Sequence, residues 1–347
     1  MAFTAEQIAT GAFRALETIN RNDPIDQIST NMPFTAWLMK NKQESNFTGG
    51  AFRESVYVDH GSNYQNYWGA DQVTYNNRNP SRLTRFAPYA SHDGFWIDEH
   101  TLAANGIILT DDREAVASGA EKEQLVNMLK ENHRALKAGW QQEFDTEMHL
   151  DGSANPKAAP ALAHIVSITP TVGVVGGIDS ATAPFWRNNV NMGIAPANLI
   201  AEMEETWRAC TLYGGEAPDA LFAGSAFMDA YRDQAGDTIN RQIVVNERGG
   251  TGLDASISGL YFKGIPIQWD PTLDILDQRL GVQTYPYSKR LYMLNSRRYK
   301  LRPQKGRWMI NRKPDRLPDR YVHYRGLTAD YGVTTDKRNG LAVLSVA

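Results

Sequence analysis

A sequence of 347 residues is long enough for two or more structural units, because a single hydrophobic core stops growing at about 250–300 residues. Hydrophobic residues make up 42% of the chain and charged residues 22%, which excludes a wholly disordered or fibrous protein. The net charge is only −3, but residues 289–325 contain thirteen Lys and Arg and two Asp. This segment therefore carries +11 and leaves −14 for the rest of the chain.

The basic segment 289–325 has two interpretations. Its interleaved aromatic residues are typical of a surface that binds nucleic acid. It is equally suited to meet the acidic part of a neighbouring copy. The acidic balance of the whole chain favours the second, since a dedicated nucleic-acid binder usually has net positive charge.

The sequence contains no sign of a membrane segment. No apolar run approaches the roughly 20 residues that a membrane helix needs, and the amino terminus lacks the basic-then-apolar order of a signal peptide. We therefore expect no membrane partner.

Three features that resemble reactive motifs have simpler explanations. The single cysteine, Cys210, lies in a helical pattern, which indicates a buried structural thiol. The glycine-rich stretch 171–177 lacks the Lys-Ser/Thr that follows a phosphate loop and predicts a plain turn. Gly224-Ser225 lacks the second glycine of a nucleophile elbow, so Ser225 is expected to be a helix cap.

Residues 5–20 have apolar side chains at roughly helical intervals, and Asn22-Asp23-Pro24 ends the pattern. This short amphipathic helix is either an ordinary first helix of the core or an arm that docks on another subunit.

Residues 47–96 predict a long β-hairpin. Phe52, Val56 and Val58 alternate on one limb, and Phe86, Tyr89, Phe95 and Ile97 on the other. Residues 59–82 between the limbs are rich in aromatics and have no sustained period, and a loop of this length is rare in a compact domain. Exposed aromatics there suit a contact surface in an assembly. The candidates for contact between subunits are Tyr64, Tyr67, Trp68, Tyr75, Arg82, Arg85 and Phe86.

Residues 111–150 predict one long amphipathic helix. Its apolar stripe is formed by residues four and seven apart, namely Leu125, Leu129, Leu136, Trp140, Phe144 and Met148. The helix penalty of Gly119 and Gly139 suggests that the regular part begins near Ala120. A continuous helix from there to Met148 would be roughly 40 Å long.

The second half of the chain mixes helices and strands. Ala195-Pro196 starts a helix with Leu199, Met203 and Trp207 on one stripe. Strands are predicted where β-branched and aromatic residues lie between glycines, at 220–223, 242–246, 260–262, 265–269, 291–294 and 341–346. The order has no βαβ rhythm, which indicates an α+β fold.

Four stretches occur in an order typical of one family. They are GGIDSATAPFWRN at 176–188, PDALFAGS at 218–225, YFKGIPI at 261–267 with Trp269-Asp270-Pro271, and RLYMLN at 290–295. Together with the arm, hairpin and long helix, they make the chain resemble the major capsid proteins of tailed bacteriophages, the Hong Kong 97 type of fold. Only the ordered set is specific, since each stretch alone is short.

The resemblance implies a division of the chain into five parts. These are an N-terminal arm (1–46), an extended loop (47–97), a peripheral domain with a spine helix (98–190), an axial domain (191–288) and a return to the peripheral domain (289–347).

The resemblance also implies a function. The chain would be a major capsid protein that self-assembles into pentamers and hexamers of an icosahedral virion shell around double-stranded DNA, which it contacts nonspecifically. It would be assembled in the host cytoplasm. Because fewer than fifty residues precede the hairpin, either a separate scaffolding protein or none is expected. A portal and a decoration protein are the other candidate partners that the resemblance implies. No enzyme activity, catalytic residue, cofactor or metal is expected.

The sequence is also compatible with two alternatives. One is an encapsulin-like bacterial shell compartment of the same fold. The other is a metal-dependent hydrolase that uses His92, Asp93 and His100, with Asp98 and Glu99 as further ligands. His149 and Asp151 form a second candidate set of metal ligands. Neither set has a recognised metal-site spacing, which favours solvated polar side chains.

Overall fold

The structure is a computed structural model that describes residues 30–45, 50–104, 119–214, 216–238, 260–314 and 322–347. The predicted helix at 5–20, the first part of the predicted long helix at 111–118 and the predicted strand at 242–246 lie outside these residues. The α-helices in the described part are α1 (Pro33–Lys40), α2 (Glu99–Ala104), α3 (Gly119–His149), α4 (Leu162–Ile165), α5 (Leu199–Leu212), α6 (Ser225–Thr238) and α7 (Pro271–Leu280).

The strands are of very unequal length. They are β1 (Phe52–Tyr57), β2 (Ser81–Phe86), β3 (Tyr89–Asp98), β4 (Val174–Val175), β5 (Ile178–Asp179), β6 (Asn189–Ile194), β7 (Ala220–Ala223), β8 (Tyr261–Phe262), β9 (Ile265–Trp269), β10 (Arg290–Leu294), β11 (Tyr299–Pro303), β12 (Ile310–Arg312), β13 (Val322–Thr335) and β14 (Ala342–Val346). The α+β prediction is confirmed.

The chain divides into two compact units. The larger unit comprises the described residues of Asn31–Tyr89, Asp145–Gln304 and Tyr331–Ala347. The smaller unit comprises those of Ala90–Phe144 and Lys305–Asp330, with Thr30. The residues of helix α3 up to Phe144 belong to the smaller unit, and its last five residues belong to the larger unit.

A six-stranded mixed sheet forms the centre of the larger unit, in the order β6-β14-β10-β7-β9-β8. The pairs β6 with β14 and β7 with β9 are parallel, and the other three are antiparallel. All residues of β7, β10 and β14 are buried, so these central strands are covered on both faces and are mostly apolar, with Arg290 and Ser345 as the buried polar exceptions. The predicted strands at 220–223, 265–269, 291–294 and 341–346 are confirmed within one residue.

Helices α5 and α6 cover this sheet. Leu199, Met203 and Cys210 of α5 and Phe227 of α6 pack with Leu291 of β10 in one hydrophobic cluster. The spacing of four and seven places these α5 side chains on one face, as the sequence predicts. Trp207 lies partly buried at the edge of the cluster.

Helix α7 begins with a complete cap. The Asp270 carboxylate accepts a hydrogen bond from the Thr272 amide at 3.1 Å, and Pro271 occupies the first turn, where its missing N–H leaves no carbonyl unpaired. The start of α6 differs from the expected cap, because the Ser225 hydroxyl donates to Asp274 at 2.9 Å instead of accepting from its own helix. The same Asp274 oxygen also accepts from the Ser225 amide.

In the smaller unit, β3 and β12 pair with β13, and α3 supplies the apolar partner. Trp140 and Phe144 stack with ring centroids 4.8 Å apart, and Trp308 meets both edge-on. The Trp140 indole N–H donates to the Ser91 hydroxyl of β3 at 3.1 Å. The predicted burial of the α3 stripe is confirmed at Leu136, Trp140 and Phe144, and at Met148 in the larger unit.

The predicted hairpin is confirmed for the pairing of β1 with β2, but its second predicted limb is divided between β2 and β3. Phe52 faces Phe86 in the register of β1 and β2, as expected. Phe95 and Ile97 lie instead in β3, which pairs with β13. Alternation alone cannot reveal this, because a two-residue link between β2 and β3 leaves the apolar pattern continuous.

None of the helices in the part of the chain that the structure describes combines the length and the apolar character needed to cross a lipid bilayer.

Candidate functional site

The loop between β1 and β2, residues 58–80, is the most exposed part of the described chain with large aromatic side chains. Tyr64, Tyr67, Trp68 and Tyr75 are between 67% and 91% exposed. We call this segment the hairpin loop. A monomeric protein rarely exposes so much aromatic surface on one loop, and such patches mark contact sites.

Side chains, rather than a β-ladder, hold the two halves of the hairpin loop together. The Gln65 amide donates to the Thr74 carbonyl at 3.1 Å, and the Asn76 amide donates to the Gly61 carbonyl at 3.1 Å. The Asn63 amide donates to the same Thr74 carbonyl. The abundance of Asn and Gln in this stretch is thereby explained, because these side chains replace the missing cross-strand partners.

The far end of the hairpin loop is a tight turn. The Asp71 amide donates to the Trp68 carbonyl at 3.2 Å, and the Asp71 carboxylate accepts from the Trp68 amide at 2.9 Å. Gly69 has a φ of +60°, a conformation that L side chains rarely adopt. The turn leaves the Trp68 indole at the tip, in solvent.

The base of the hairpin is fixed by its inner face, which is formed by Phe52, Glu54, Val56, Arg82, Thr84 and Phe86. The Phe86 ring lies against Gly176, where an added Cβ would come within 2.7 Å of the ring. The Arg85 amide of the same strand donates to the Gly176 carbonyl at 2.8 Å. Phe52 packs in the same way on Gly332.

Glu54 adds an ion pair to this inner face. Its carboxylate accepts from the guanidinium of Arg302 in β11, and both side chains are mostly buried. The Thr84 hydroxyl donates to the Glu54 carbonyl at 3.0 Å. The hairpin base is therefore anchored within the larger unit, whereas its loop is solvated.

The structure sorts the predicted contact residues into two groups. Tyr64, Tyr67, Trp68 and Tyr75 are in the exposed loop, and the side chains of Arg82 and Arg85 are exposed on β2. Phe86 is 8% exposed and is used inside the larger unit, so it does not belong to the exposed set. The reason is the period of two along β2, which turns Phe86 inward and Arg85 outward.

A buried polar network lies elsewhere in the larger unit and was not predicted from the sequence. His149, the last residue of α3, presents Nε2 to Asp270 Oδ2 at 2.8 Å and Nδ1 to the Asp145 carbonyl at 2.7 Å. The Asp145 carboxylate accepts from the hydroxyls of Thr35 and Thr272, each at 2.5 Å. Three stretches that are distant in sequence, around Thr35, Asp145–His149 and Asp270–Thr272, thus meet at one point.

The protonation state of His149 follows from its neighbours. Burial alone would lower the pKa of His149, but the negative charges of Asp270 and Asp145 and the hydrogen bond to Asp270 raise that pKa to about 9. His149 is therefore an imidazolium at neutral pH. It offsets part of the charge of two carboxylates that are otherwise buried without a cation.

The network has the ligand types of a metal site but not the spacing. Asp145, His149 and Asp270 form the one group of three such residues found in the described part of the chain. Tetrahedral zinc with bonds of about 2.0–2.2 Å would hold its ligand atoms about 3.3 Å apart. The 2.8 Å separation of His149 Nε2 and Asp270 Oδ2 is that of a charged hydrogen bond.

The predicted hydrolase ligands do not come together. His92 and Asp93 are adjacent residues of β3 and point to opposite faces, while His100 lies on α2. They form no group of three ligands in the regions that the structure describes. The second set fails for a similar reason, because His149 is buried and Asp151 is exposed.

Four of the thirteen cationic residues in the basic segment 289–325 form ion pairs inside the chain. Arg298 pairs with Glu216 at 2.6 Å and with Asp336 at 3.0 Å, and Lys300 also reaches Asp336. Arg302 pairs with Glu54, and Arg307 pairs with Asp330. The local charge of +11 therefore overstates the cationic surface, which weakens the interpretation as a nucleic-acid binder.

Cys210 has the environment expected of a structural thiol. Burial raises the pKa of Cys210 to about 12, although the Asn189 amide and Lys337 act in the opposite direction. A thiol that stays protonated at neutral pH is a poor nucleophile.

The sequence matches no protein-family model and no curated protein. Several solved structures are nevertheless similar in fold. The capsid asymmetric unit of cyanophage A-1(L) matches with a TM-score of 0.60 and 13% identity, over 94% of this chain and 97% of that chain. A structure from Mycobacterium phage Bobi matches with a TM-score of 0.52 and 10% identity, over 100% and 99%.

An encapsulin complex from Synechococcus elongatus matches with a TM-score of 0.50 and 12% identity, over 99% of this chain and 96% of that chain. At these identities the similarity concerns the fold. The long helix, the hairpin and the mixed sheet of this chain are therefore the parts of a phage capsid fold of the Hong Kong 97 type.

Proposed function

We propose that this protein is a major capsid protein of a tailed bacteriophage, whose copies assemble into a closed shell. The observation that carries the proposal is the hairpin loop with its four exposed aromatics, on a chain that shares its fold with phage capsid subunits over almost its whole length. Such a loop is a liability on a monomer and a contact surface on a subunit.

The proposed arrangement is pentamers and hexamers on an icosahedral lattice. Head-to-tail contacts between identical subunits close into rings when the rotation allows it, and rings can then tile a shell. In this arrangement Tyr64, Tyr67, Trp68, Tyr75, Arg82 and Arg85 contact a neighbouring copy. The five-part division of the chain inferred from its sequence belongs to the same proposal.

The role is structural, not enzymatic. The polar cluster of Asp145, His149 and Asp270 is closed to solvent and saturated by its own hydrogen bonds. The shell would enclose double-stranded DNA without sequence recognition, and it would form in the host cytoplasm and end as part of the virion. A scaffolding protein, a portal and a decoration protein complete the expected set of partners.

The test is expression of the full chain, followed by size-exclusion chromatography and negative-stain electron microscopy. We expect closed shells or rings that contain only this protein, either alone or together with a scaffolding protein. A compact monomer that stays monomeric at high concentration in both cases would refute the proposal.

A shell compartment of the encapsulin kind is the second candidate, because the Synechococcus complex matches with nearly full coverage of both chains. The content of the particles separates the two candidates. Nuclease-resistant DNA in particles from infected or lysogenic cells supports the capsid, and a co-purifying protein cargo without DNA supports the compartment.

A further inference from the structure

The outer face of the hairpin base carries two arginines directly opposite each other. Arg53 of β1 and Arg85 of β2 are cross-strand partners, and both side chains are exposed. The same face contains Tyr57, 73% exposed, and Leu83, 52% exposed. No ion pair or side-chain hydrogen bond of either arginine is found with the residues that the structure describes.

This pairing is unfavourable for an isolated hairpin. Cross-strand partners on one face bring their Cβ atoms to about 4.5–5.5 Å, where like charges repel. A guanidinium cannot lose its charge at any physiological pH. The neighbouring Glu54 gives no relief, because it points to the inner face and is paired with Arg302.

The surroundings of the two guanidinium groups indicate the kind of ligand. Each is a planar fork that matches a carboxylate, and apolar side chains flank the pair on the same face. This combination suits a protein surface with acidic side chains better than a bare phosphate chain. Copies of this chain can supply such a surface, since the residues outside 289–325 carry −14 and only four of their carboxylates pair with the basic segment in the described part of the chain.

We propose that Arg53 and Arg85 together hold a carboxylate group of a second copy of this chain, with Tyr57 and Leu83 covering the contact. We call the pair the arginine clamp. The inference rests on the proposed function, because it requires that copies meet. It accounts for the repulsive pair, because no described residue of the same chain pairs with either guanidinium and a carboxylate of a second copy would relieve the repulsion.

The test captures the carboxylate covalently. Arg53→Lys and Arg85→Lys keep the charge and provide an amine that a carbodiimide joins to a carboxylate in direct contact. Particles are assembled from equal amounts of nitrogen-15-labelled and unlabelled subunits, crosslinked and analysed by mass spectrometry. Arg232→Lys is the matched control, because Arg232 is exposed and pairs with Asp229 of the same helix.

We expect peptides that join residue 53 or 85 of one subunit to a carboxylate of a subunit with the other isotope label. The control is expected to yield only crosslinks within one chain. The arginine clamp would be overturned if assembled particles gave no crosslink at residue 53 or 85. It would also be overturned if every such crosslink joined peptides that carry the same isotope label.

A second measurement uses the sign of the effect. Arg85→Gln removes the repulsion, so the unassembled subunit is expected to melt at a slightly higher temperature, while the yield of particles falls about tenfold. If Arg85 had a purely structural role, its replacement would shift the melting temperature and the yield of particles in the same direction. If assembly is unchanged and only retention on heparin is lost, the ligand is a nucleic acid and the proposal fails.

Different results would refute the arginine clamp and the proposed function. Particles that form normally without a crosslink at 53 or 85 refute the clamp and leave the proposed function intact. Wild-type protein that forms no particle under any condition refutes both.

Discussion

His149 Nε2 lies 2.8 Å from Asp270 Oδ2, with both side chains buried, and this pair joins the end of α3 to the start of α7. The pair is completed by Asp145, one helical turn before His149, which accepts from Thr35 of α1. A charged histidine therefore lies at the junction of three helices. Its titration has a calculable effect on stability.

We expect the free energy of unfolding of the unassembled subunit to fall as the pH rises from about 6.5 to about 9. The sign follows from the raised pKa. Below about 6.5 His149 is protonated in both states and its contribution is complete, whereas above about 9 the folded state has lost the imidazolium charge. Urea unfolding at pH 6, 7.5 and 9.5 measures this slope.

His149→Gln is expected to remove the slope and to lower stability by about 3–5 kcal/mol, because two carboxylates remain buried without a cation. His133→Gln is the matched control, since His133 is exposed on the same helix. A wild-type profile that is flat over this range, or a control that loses the slope equally, would contradict the assignment.

Gly176 and Gly177 allow the cost of backbone strain to be separated from the cost of a steric clash with a neighbouring side chain. Both have positive φ, +59° and +79°, but only at Gly176 would a Cβ meet the Phe86 ring. Gly177→Ala is expected to destabilise by about 1–2 kcal/mol through backbone strain alone. Gly176→Ala should cost about 1–3 kcal/mol more through overpacking. Equal losses in urea unfolding would show that the hairpin base does not rest on Gly176.

Trp68→Ala is expected to separate assembly from folding. The indole is at the tip of the hairpin loop, so its removal should change the stability of the unassembled subunit by less than about 0.5 kcal/mol and should strongly reduce the yield of particles in sedimentation. Phe86→Ala on the same hairpin should instead lower stability by about 3–5 kcal/mol, because its ring is buried. A Trp68→Ala protein that assembles like wild type would exclude the tip from the contact.

Arg338 is a buried guanidinium that connects four groups without a carboxylate. It donates to the carbonyls of Ile165 and Trp186, the Ser180 hydroxyl and the Asn188 side chain, at 2.7–3.0 Å. Burial lowers the pKa of Arg338 to about 10.

Arg338→Met should destabilise the subunit by about 3–5 kcal/mol, since several buried acceptors lose their donor at once. Arg187→Met is the matched control, because Arg187 donates to the Ser180 and Ala181 carbonyls from a more exposed position. Thermal unfolding that ranks the two variants in the opposite order would refute this account.

Features that repeat along the chain were predictable from the sequence. The four-residue spacing of Leu136, Trp140, Phe144 and Met148 defined the long helix, and the short apolar runs defined the central strands. The aromatic content and the missing periodicity of residues 59–82 likewise indicate an exposed surface.

Features that join distant parts of the chain were not predictable. Thr35 and Asp145 are 110 residues apart, and His149 and Asp270 are 121 apart, so no local pattern signals the buried network. The charge count of segment 289–325 misled for the same reason, because its partners Glu54 and Glu216 lie far upstream. Arg53 was missed because only the register of β1 and β2 reveals that it faces Arg85.

The amide side chains that bridge the hairpin loop have a consequence for binding. Because Gln65 and Asn76 already satisfy the carbonyls of Thr74 and Gly61 within one chain, the loop would reach the proposed neighbouring copy in a preorganised shape. Little conformational entropy then remains to be lost on docking, so a modest apolar contact at Trp68 yields more net affinity than the same contact made by an unstructured segment.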